Sequence, residues 1–278
     1  MKQWLVKMLV RLLRTDIEKI CVDKLKDYDK RLCQAEKDIR VNNEKIEKEF
    51  QNPYEIIDYE DFENHFRGSR ELIKKRQMEY LPYFKNRKYV IDLGCGRGEF
   101  LELMELMKEN GINASGVDLY KPFVNECQKQ GLKVQHGDAL QYLRQCDKID
   151  GIFVGQLVEH MKIAQILQLC QRAYDRLEDG GVLIIETPNP MSLAIFTHAF
   201  YIDPSHNKPI HPLTLQYLLY KAGFKKADIL FTENSKLNEQ IPNLNGLNID
   251  NLQEFNESMN KVTKLLYGSQ DYAIIAIK

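Results

Sequence analysis

The chain has 278 residues, 44% of them hydrophobic and 28% charged, and a formal net charge of −1. That length can bury a full domain core with material to spare, and that balance gives no global attraction to nucleic acid or to an anionic membrane. The six cysteines (Cys21, Cys33, Cys95, Cys127, Cys146, Cys170) form no CxxC pair and no Cys/His cluster of zinc-finger spacing, which excludes a structural zinc site and points to free thiols in a reducing, cytoplasmic setting.

At the start, "MKQWLVKMLVRLLR", Lys7, Arg11 and Arg14 interrupt every apolar run short of a signal or spanning segment. At helical spacing these cations share one face, while Leu5, Met8, Leu9, Leu12 and Leu13 gather on the other. With Trp4 at the tip, residues 1–20 suit a helix in a membrane interface, at the inner face of the cytoplasmic membrane, or one packed on the protein's own body or a sister subunit. Over residues 20–50, Leu25, Tyr28, Leu32, Ala35, Ile39, Asn42 and Ile46 fall at heptad spacing, the pattern of a weak coiled coil joining copies of the chain or of a solvated helix with a narrow apolar stripe. Pro53 in "QNPYE" ends it. The boundary is placed there, with a helical segment over 1–52 and a globular domain over 53–278.

"YEDFENHFRGSRELIKKRQMEYLPYF" reads as a helical entry broken at Gly68 and stopped at Pro82. Strands "KYVIDLG", "NASGVDLY", "LKVQHGD", "IDGIFVG" and "GVLIIETP" then alternate with helices "EFLELMELMKENG", "PFVNECQKQG" and "KIAQILQLCQRAYDRLEDG". Helix "PLTLQYLLYKAGF" and strand "KKADILFTE" follow, then an Asn-rich stretch from 233 to about 260 read as loop, and a terminal strand "DYAIIAIK". This alternation predicts an α/β fold with a doubly wound parallel sheet, and the final strand, lacking a crossover helix, suits an antiparallel insertion.

Ligands of such sheets sit at the carboxyl ends of the strands. In "VIDLGCGRGEF", Gly94, Gly96 and Gly98 run GxGxG with Asp92 two residues ahead. The dinucleotide fingerprint needs GxGxxG to set a pyrophosphate on a helix N-terminus, and a P-loop needs Lys-Ser/Thr after the turn. Both are excluded. The stretch resembles the first motif of the class I, seven-stranded, Rossmann-like methyltransferases that use S-adenosylmethionine. By that resemblance Gly94 and Gly96 line the cofactor and Asp92 orders the loop. "GVDLY" supplies Asp118 for the ribose hydroxyls, "QHGDAL" supplies Asp138 and Ala139 at the adenine, and "IDGIFVGQLVEHM" supplies Gly155, Gln156, Glu159 and His160, matching the family's "EH" motif. "FRGSRELIKKRQMEYLPYF" resembles a segment in a bacterial subgroup associated with O-antigen and surface polysaccharide synthesis. It implies Arg70, with Arg67 as second choice, as partner of the methionine carboxylate.

On the acceptor side, "ETPNP" places Asn189 as a fixed polar wall. "FYIDPSHNKPIHP" resembles the DPxHxxPxHP element of the same subgroup and gathers Asp203, His206 and His211 in a loop where core packing does not ask for them. His206 and His211 are the candidate bases, and Glu159, His160 and Asp203 orient a base or hold a sugar. With no clear cluster of carboxylates, no metal is expected. The resemblance implies O-methylation of a sugar in a surface glycan or lipid-linked precursor. A quinone-type small-molecule methyltransferase, which would lack the DPxHxxPxHP loop, and an idle scaffold of a glycan-assembly complex are the alternatives.

Overall fold

The computed structural model describes residues 58–278, except 198, 247 and 248, together with 24, 28, 30, 31, 34, 35, 37 and 38. The chain divides into two compact units, Met1–Ile57 and Asp58–Lys278. In the first, the described residues are helical and exposed. Of the heptad positions only Tyr28 and Ala35 are among them; the other seam residues and the whole amphipathic tip lie outside the described residues. Among the described residues no helix is long and apolar enough to cross a membrane.

In the second unit the entry segment forms α1 (Tyr59–Phe66), capped by Asp58, and α2 (Arg70–Gln77), capped by Ser69. Gly68 separates them with a positive φ of 95°. Pro82 does not stop the entry: it sits in the first turn of the short α3 (Leu81–Phe84), where its missing N–H has no partner to lose.

Seven strands follow: β1 (Tyr89–Leu93), β2 (Asn113–Asp118), β3 (Val134–His136), β4 (Ile149–Gly155), β5 (Leu177–Pro188), β6 (Lys226–Phe231) and β7 (Asp271–Ile277). They form one sheet in the order β3-β2-β1-β4-β5-β7-β6, with β7 antiparallel to β5 and β6. The expected doubly wound sheet with an antiparallel terminal strand is present. Helices α4 (Glu99–Leu106), α5 (Lys121–Lys129), α6 (Ala139–Gln145), α7 (Ile163–Arg176), α8 (Pro212–Ala222) and α9 (Leu252–Tyr267) join the strands.

Three expectations need correction. Helix α6, between β3 and β4, was not anticipated, because seven residues offer too short a window for a helical period. Helix α7 stops at Arg176, and Leu177 already pairs with Ile149 before a register shift resumes the ladder at Gly151 and Val182. Most consequentially, α9 occupies a stretch read as loop. Its Leu252, Met259, Val262 and Leu266 keep helical spacing, but surrounding Asn, Gln, Glu and Lys hide the stripe in the composition.

Both faces of the sheet are packed. Leu143, Ile166, Leu169, Leu215 and Leu219 fill one side. Tyr80, Phe84, Phe100, Met104 and Phe153 fill the other, with the Phe100 and Phe153 rings stacked at 4.0 Å. The strand order reverses between β1 and β4, so the loops after these strands face one crevice.

Gly116 in β2 shows how tightly α4 sits on the sheet: a Cβ there would lie 2.7 Å from Leu101 Cδ1 and 2.9 Å from Cys95 Sγ. Gly116→Ala is expected to cost about 1–3 kcal/mol by overpacking, read as a lower urea midpoint at unchanged slope. An unshifted midpoint would contradict this packing.

Candidate active site

Glycines shape the turn between β1 and α4. Gly94, Gly96 and Gly98 have φ of 72°, 51° and 82°, conformations that exclude most side chains. Asp118, at the end of β2, holds the turn from the neighbouring strand: Gly96 N–H donates to Oδ2 at 2.8 Å, and Tyr120 N–H donates to Oδ1 at 2.7 Å. Burial raises the Asp118 carboxyl, and those two donors pull it back. Asp92, 3% exposed, is raised well above the carboxylate range by burial, with Arg67 opposing and Asp118 and Glu99 adding to the rise.

Of the two candidate arginines, Arg67 lies beside the glycine turn. Arg67, one residue past α1, pairs with Glu63 at 2.8 Å, and a Cβ on Gly96 would lie 3.3 Å from its Nη1. Although burial opposes its charge, Glu63 and Glu99 keep it firmly protonated. Arg70 instead binds Glu102 of α4, which also takes Lys74 at 2.9 Å, and contacts Gln130 at 3.3 Å. Arg97 was missed from sequence. Almost fully buried, it binds Glu99 at 2.7 Å, Asn64 at 3.0 Å and the Gly68 carbonyl at 3.1 Å, tying the glycine turn to the α1–α2 junction.

Asp138 caps α6 by accepting from Gln141 N–H at 2.8 Å, and Ala139 is buried in the first turn behind it. Gly155 ends β4 against the Phe153 ring. Gln156 has an uncommon positive φ of 53°, and its side chain turns to β5 and β7, donating to Glu186 at 2.9 Å and Asp271 at 3.2 Å. Burial, then Glu186, pushes the Asp271 carboxyl up to about 7.

The acceptor loop folds back on the turn after β4, a short 3-10 helix over Val158–His160. Asn207 N–H donates to the Glu159 carbonyl at 2.8 Å, and the His160 and His206 rings meet edge to face at 4.6 Å. Asp203 Oδ2 accepts from Tyr59 of α1 at 2.8 Å, so one helix reaches both halves of the site. Ser205 donates to Asp203 Oδ1 at 2.6 Å and lies 2.8 Å from His160 Nδ1, while His206 Nδ1 lies 2.7 Å from the Phe200 carbonyl. Burial and then His206 lower His160 to about 4. For Asp203, burial is outweighed by the donors on it, and its carboxyl is lowered.

Glu159 is fully buried: Thr187 donates to Oε2 at 2.9 Å, while Oε1 has no partner among the described residues. Burial pushes its carboxyl up to about 8. One oxygen of Glu159 and one ring nitrogen each of His160 and His206 lie within 4.8 Å of one another. Glu159 and His160 are adjacent in sequence and His206 stands 46 residues beyond, so the set forms no local sequence pattern.

His211 does not join this cluster. Exposed at the start of α8, it accepts Leu213 N–H on Nδ1 at 3.2 Å and acts as the helix cap. Asn189 is buried and braces the β5 exit, donating to the Ser269 carbonyl at 2.8 Å and accepting from Met191 N–H.

The raised Glu159 has a signed consequence. Between about pH 4.5 and 8 the unfolded carboxyl ionises while the folded one stays neutral, so its contribution to stability is full below that window and lost across it. Glu159→Gln removes the titration. In chelator-treated buffer its unfolding free energy should gain on wild type as pH rises through this window, by at most about 1.4 kcal/mol per unit. Parallel curves would refute the neutral carboxyl.

The family model described as a methyltransferase domain matches residues 42–229. A solved SAM-dependent methyltransferase from Archaeoglobus fulgidus is 39% identical, with 79% of this chain and 99% of that one covered at a TM-score of 0.73. The plantazolicin methyltransferase BamL, solved with a triazolic desmethylPZN analog and SAH, shares the fold at 15% identity, 74% and 85% coverage and a TM-score of 0.54. A comparison with curated proteins finds no match. With its seven-stranded sheet and glycine turn, the chain belongs to the methyltransferase-domain family of class I enzymes that use S-adenosylmethionine.

Proposed function

We propose that this methyltransferase O-methylates a sugar hydroxyl of a surface glycan or lipid-linked precursor. One observation carries the reading: the loop over 200–211 is hydrogen-bonded onto the Glu159–His160 turn, so that imidazoles and carboxylates line the acceptor side next to the cofactor turn. An alkyl hydroxyl is a poor nucleophile until its proton is taken, and such a wall suits that task. Met191, Leu193, Tyr201 and Ile202 are exposed on the adjoining segments, an apolar rim that fits an acceptor with a polar head and a lipid tail.

The residues fit the cofactor. The glycine turn leaves backbone where side chains would intrude, Arg67 offers a guanidinium for a carboxylate, and the Asp118 and Asp92 carboxyls lie beside it. Held there, S-adenosylmethionine would supply an electrophilic methyl group on its sulfonium for an acceptor oxygen. In this arrangement Arg67 anchors, Asp118 holds the turn closed, and His206 orders the acceptor. Asp138 and Gln156 hold neighbouring loops in place.

Two predictions follow the assignment of roles. Arg67→Ala and Asp118→Ala should each weaken S-adenosylmethionine binding about tenfold or more in calorimetric titration, whereas Arg70→Ala should change it less than about threefold. Equal losses at Arg67 and Arg70 would return the anchor to Arg70.

With a lipid-linked glycan as acceptor, release of S-adenosylhomocysteine should fall about a hundredfold or more in His206→Ala at unchanged cofactor affinity. His211→Ala should keep its rate and lose about 0.5–2 kcal/mol of stability with its cap. Turnover on quinone-type phenols with none on glycans would replace the sugar reading, and cofactor binding with no turnover on either would favour the scaffold.

A further inference from the structure

We propose that Glu159, His160 and His206 form a binding site for one first-row divalent cation of the zinc, cobalt or manganese type, with open coordination positions toward the acceptor. The donor set is the first support. One carboxylate oxygen and two ring nitrogens converge within 4.8 Å of one another. Around an ion at about 2.1 Å, neighbouring ligands stand about 3–3.5 Å apart, so closure needs side-chain movements of about 1 Å. Two imidazoles favour zinc-like ions over magnesium or calcium, which prefer oxygen alone.

Hydrogen bonding fixes which nitrogen is available. The Phe200 carbonyl can only accept, so His206 Nδ1 carries the proton. Ser205 gives its proton to the Asp203 carboxylate, so its oxygen must accept from His160 Nδ1. Both neutral rings therefore keep their lone pair on Nε2. Carbonyl and carboxylate-linked partners on Nδ1 are the supports that orient histidine ligands in metal sites.

The second, independent observation is Glu159 Oε1. The side chain is 0% exposed, and this oxygen has no partner among the described residues although Oε2 is held by Thr187. A buried carboxyl oxygen without a partner is costly, and a cation between it and the two imidazoles would displace the carboxyl proton to solvent and remove that cost. Three protein ligands leave room for an oxygen of the acceptor. A hydroxyl bound there ionises more readily, its proton passing to solvent. This last step rests on the hydroxyl-acceptor reading above; the cation site itself does not.

The experiment uses the full chain, stripped with chelator and titrated with Co²⁺ and Zn²⁺ by calorimetry and by visible absorption, without acceptor. The expected result is one Co²⁺ per chain with a visible d–d spectrum, displaced by Zn²⁺ and not by equimolar Mg²⁺. Glu159→Gln and His206→Ala should weaken binding at least tenfold. Ser205→Ala, which keeps all three ligands and loses only their support, should weaken it about 10–100-fold. In each variant, unchanged S-adenosylmethionine affinity reports an intact fold. No stoichiometric Co²⁺ binding in a protein that still binds the cofactor, or equal Co²⁺ affinity in wild type and His206→Ala, overturns the site. Because no acceptor is present, failure here is distinct from failure of the sugar assignment.

Discussion

The guanidinium of Arg67 is the charge on which the site depends. Buried acids crowd the strand ends: Asp92, Asp118, Glu63 and Glu99 on the cofactor side, Glu186 and Asp271 beyond it. A carboxylate taken out of water without compensation takes up a proton and loses its use as an anion. Arg67 opposes that shift at Asp92, Asp118 and Asp271 alike, and its charge also reaches His160, which it helps keep neutral. It is delivered by the turn after α1, so the entry helix is part of the site and not a leader to it. Arg97 secures that delivery by binding the Gly68 carbonyl at the junction.

From the same helix Tyr59 donates to Asp203, which orders Ser205, which orders His160. A displacement of α1 therefore has two consequences. It removes the cation above the glycine turn and loosens the tautomer of a histidine on the acceptor side. The two sides of the crevice are linked by hydrogen bonds through one short element with its own cap at Asp58.

What was legible in the sequence, and what was not, divides along the range of the interactions. Strand ends were legible because glycines and acids follow apolar runs at fixed offsets, a local signal. So was the acceptor loop, whose histidines and prolines no core would require. The choice between Arg67 and Arg70 was not, since both precede the glycine turn by a similar distance and only the break at Gly68 decides which one turns inward. His211 looked equivalent to His206 by residue type, yet Pro212 behind it starts a helix, and the ring serves the free N–H groups of that first turn. The grouping of Glu159 with His160 and His206 needs the loop over 200–211 to return to β4. That return is made by backbone bonds such as Asn207 to Glu159, which leave no trace in composition.

Charge balance argues that the two sides of the crevice do different work. On the cofactor side a fixed arginine stands among the acids and offsets part of their burial, although Asp92 and Asp118 stay raised. On the acceptor side the compensation is incomplete. Glu159 and Asp271 are held up near neutrality by burial, His160 is held neutral, and among the described residues no arginine or lysine bonds to Glu159. A side with a fixed cation among its acids suits a zwitterionic ligand that brings its own cation and carboxylate. A side whose acid waits for compensation suits a partner that brings positive charge or takes up a proton as it reacts. The asymmetry follows from the placement of a single cationic side chain at the end of α1.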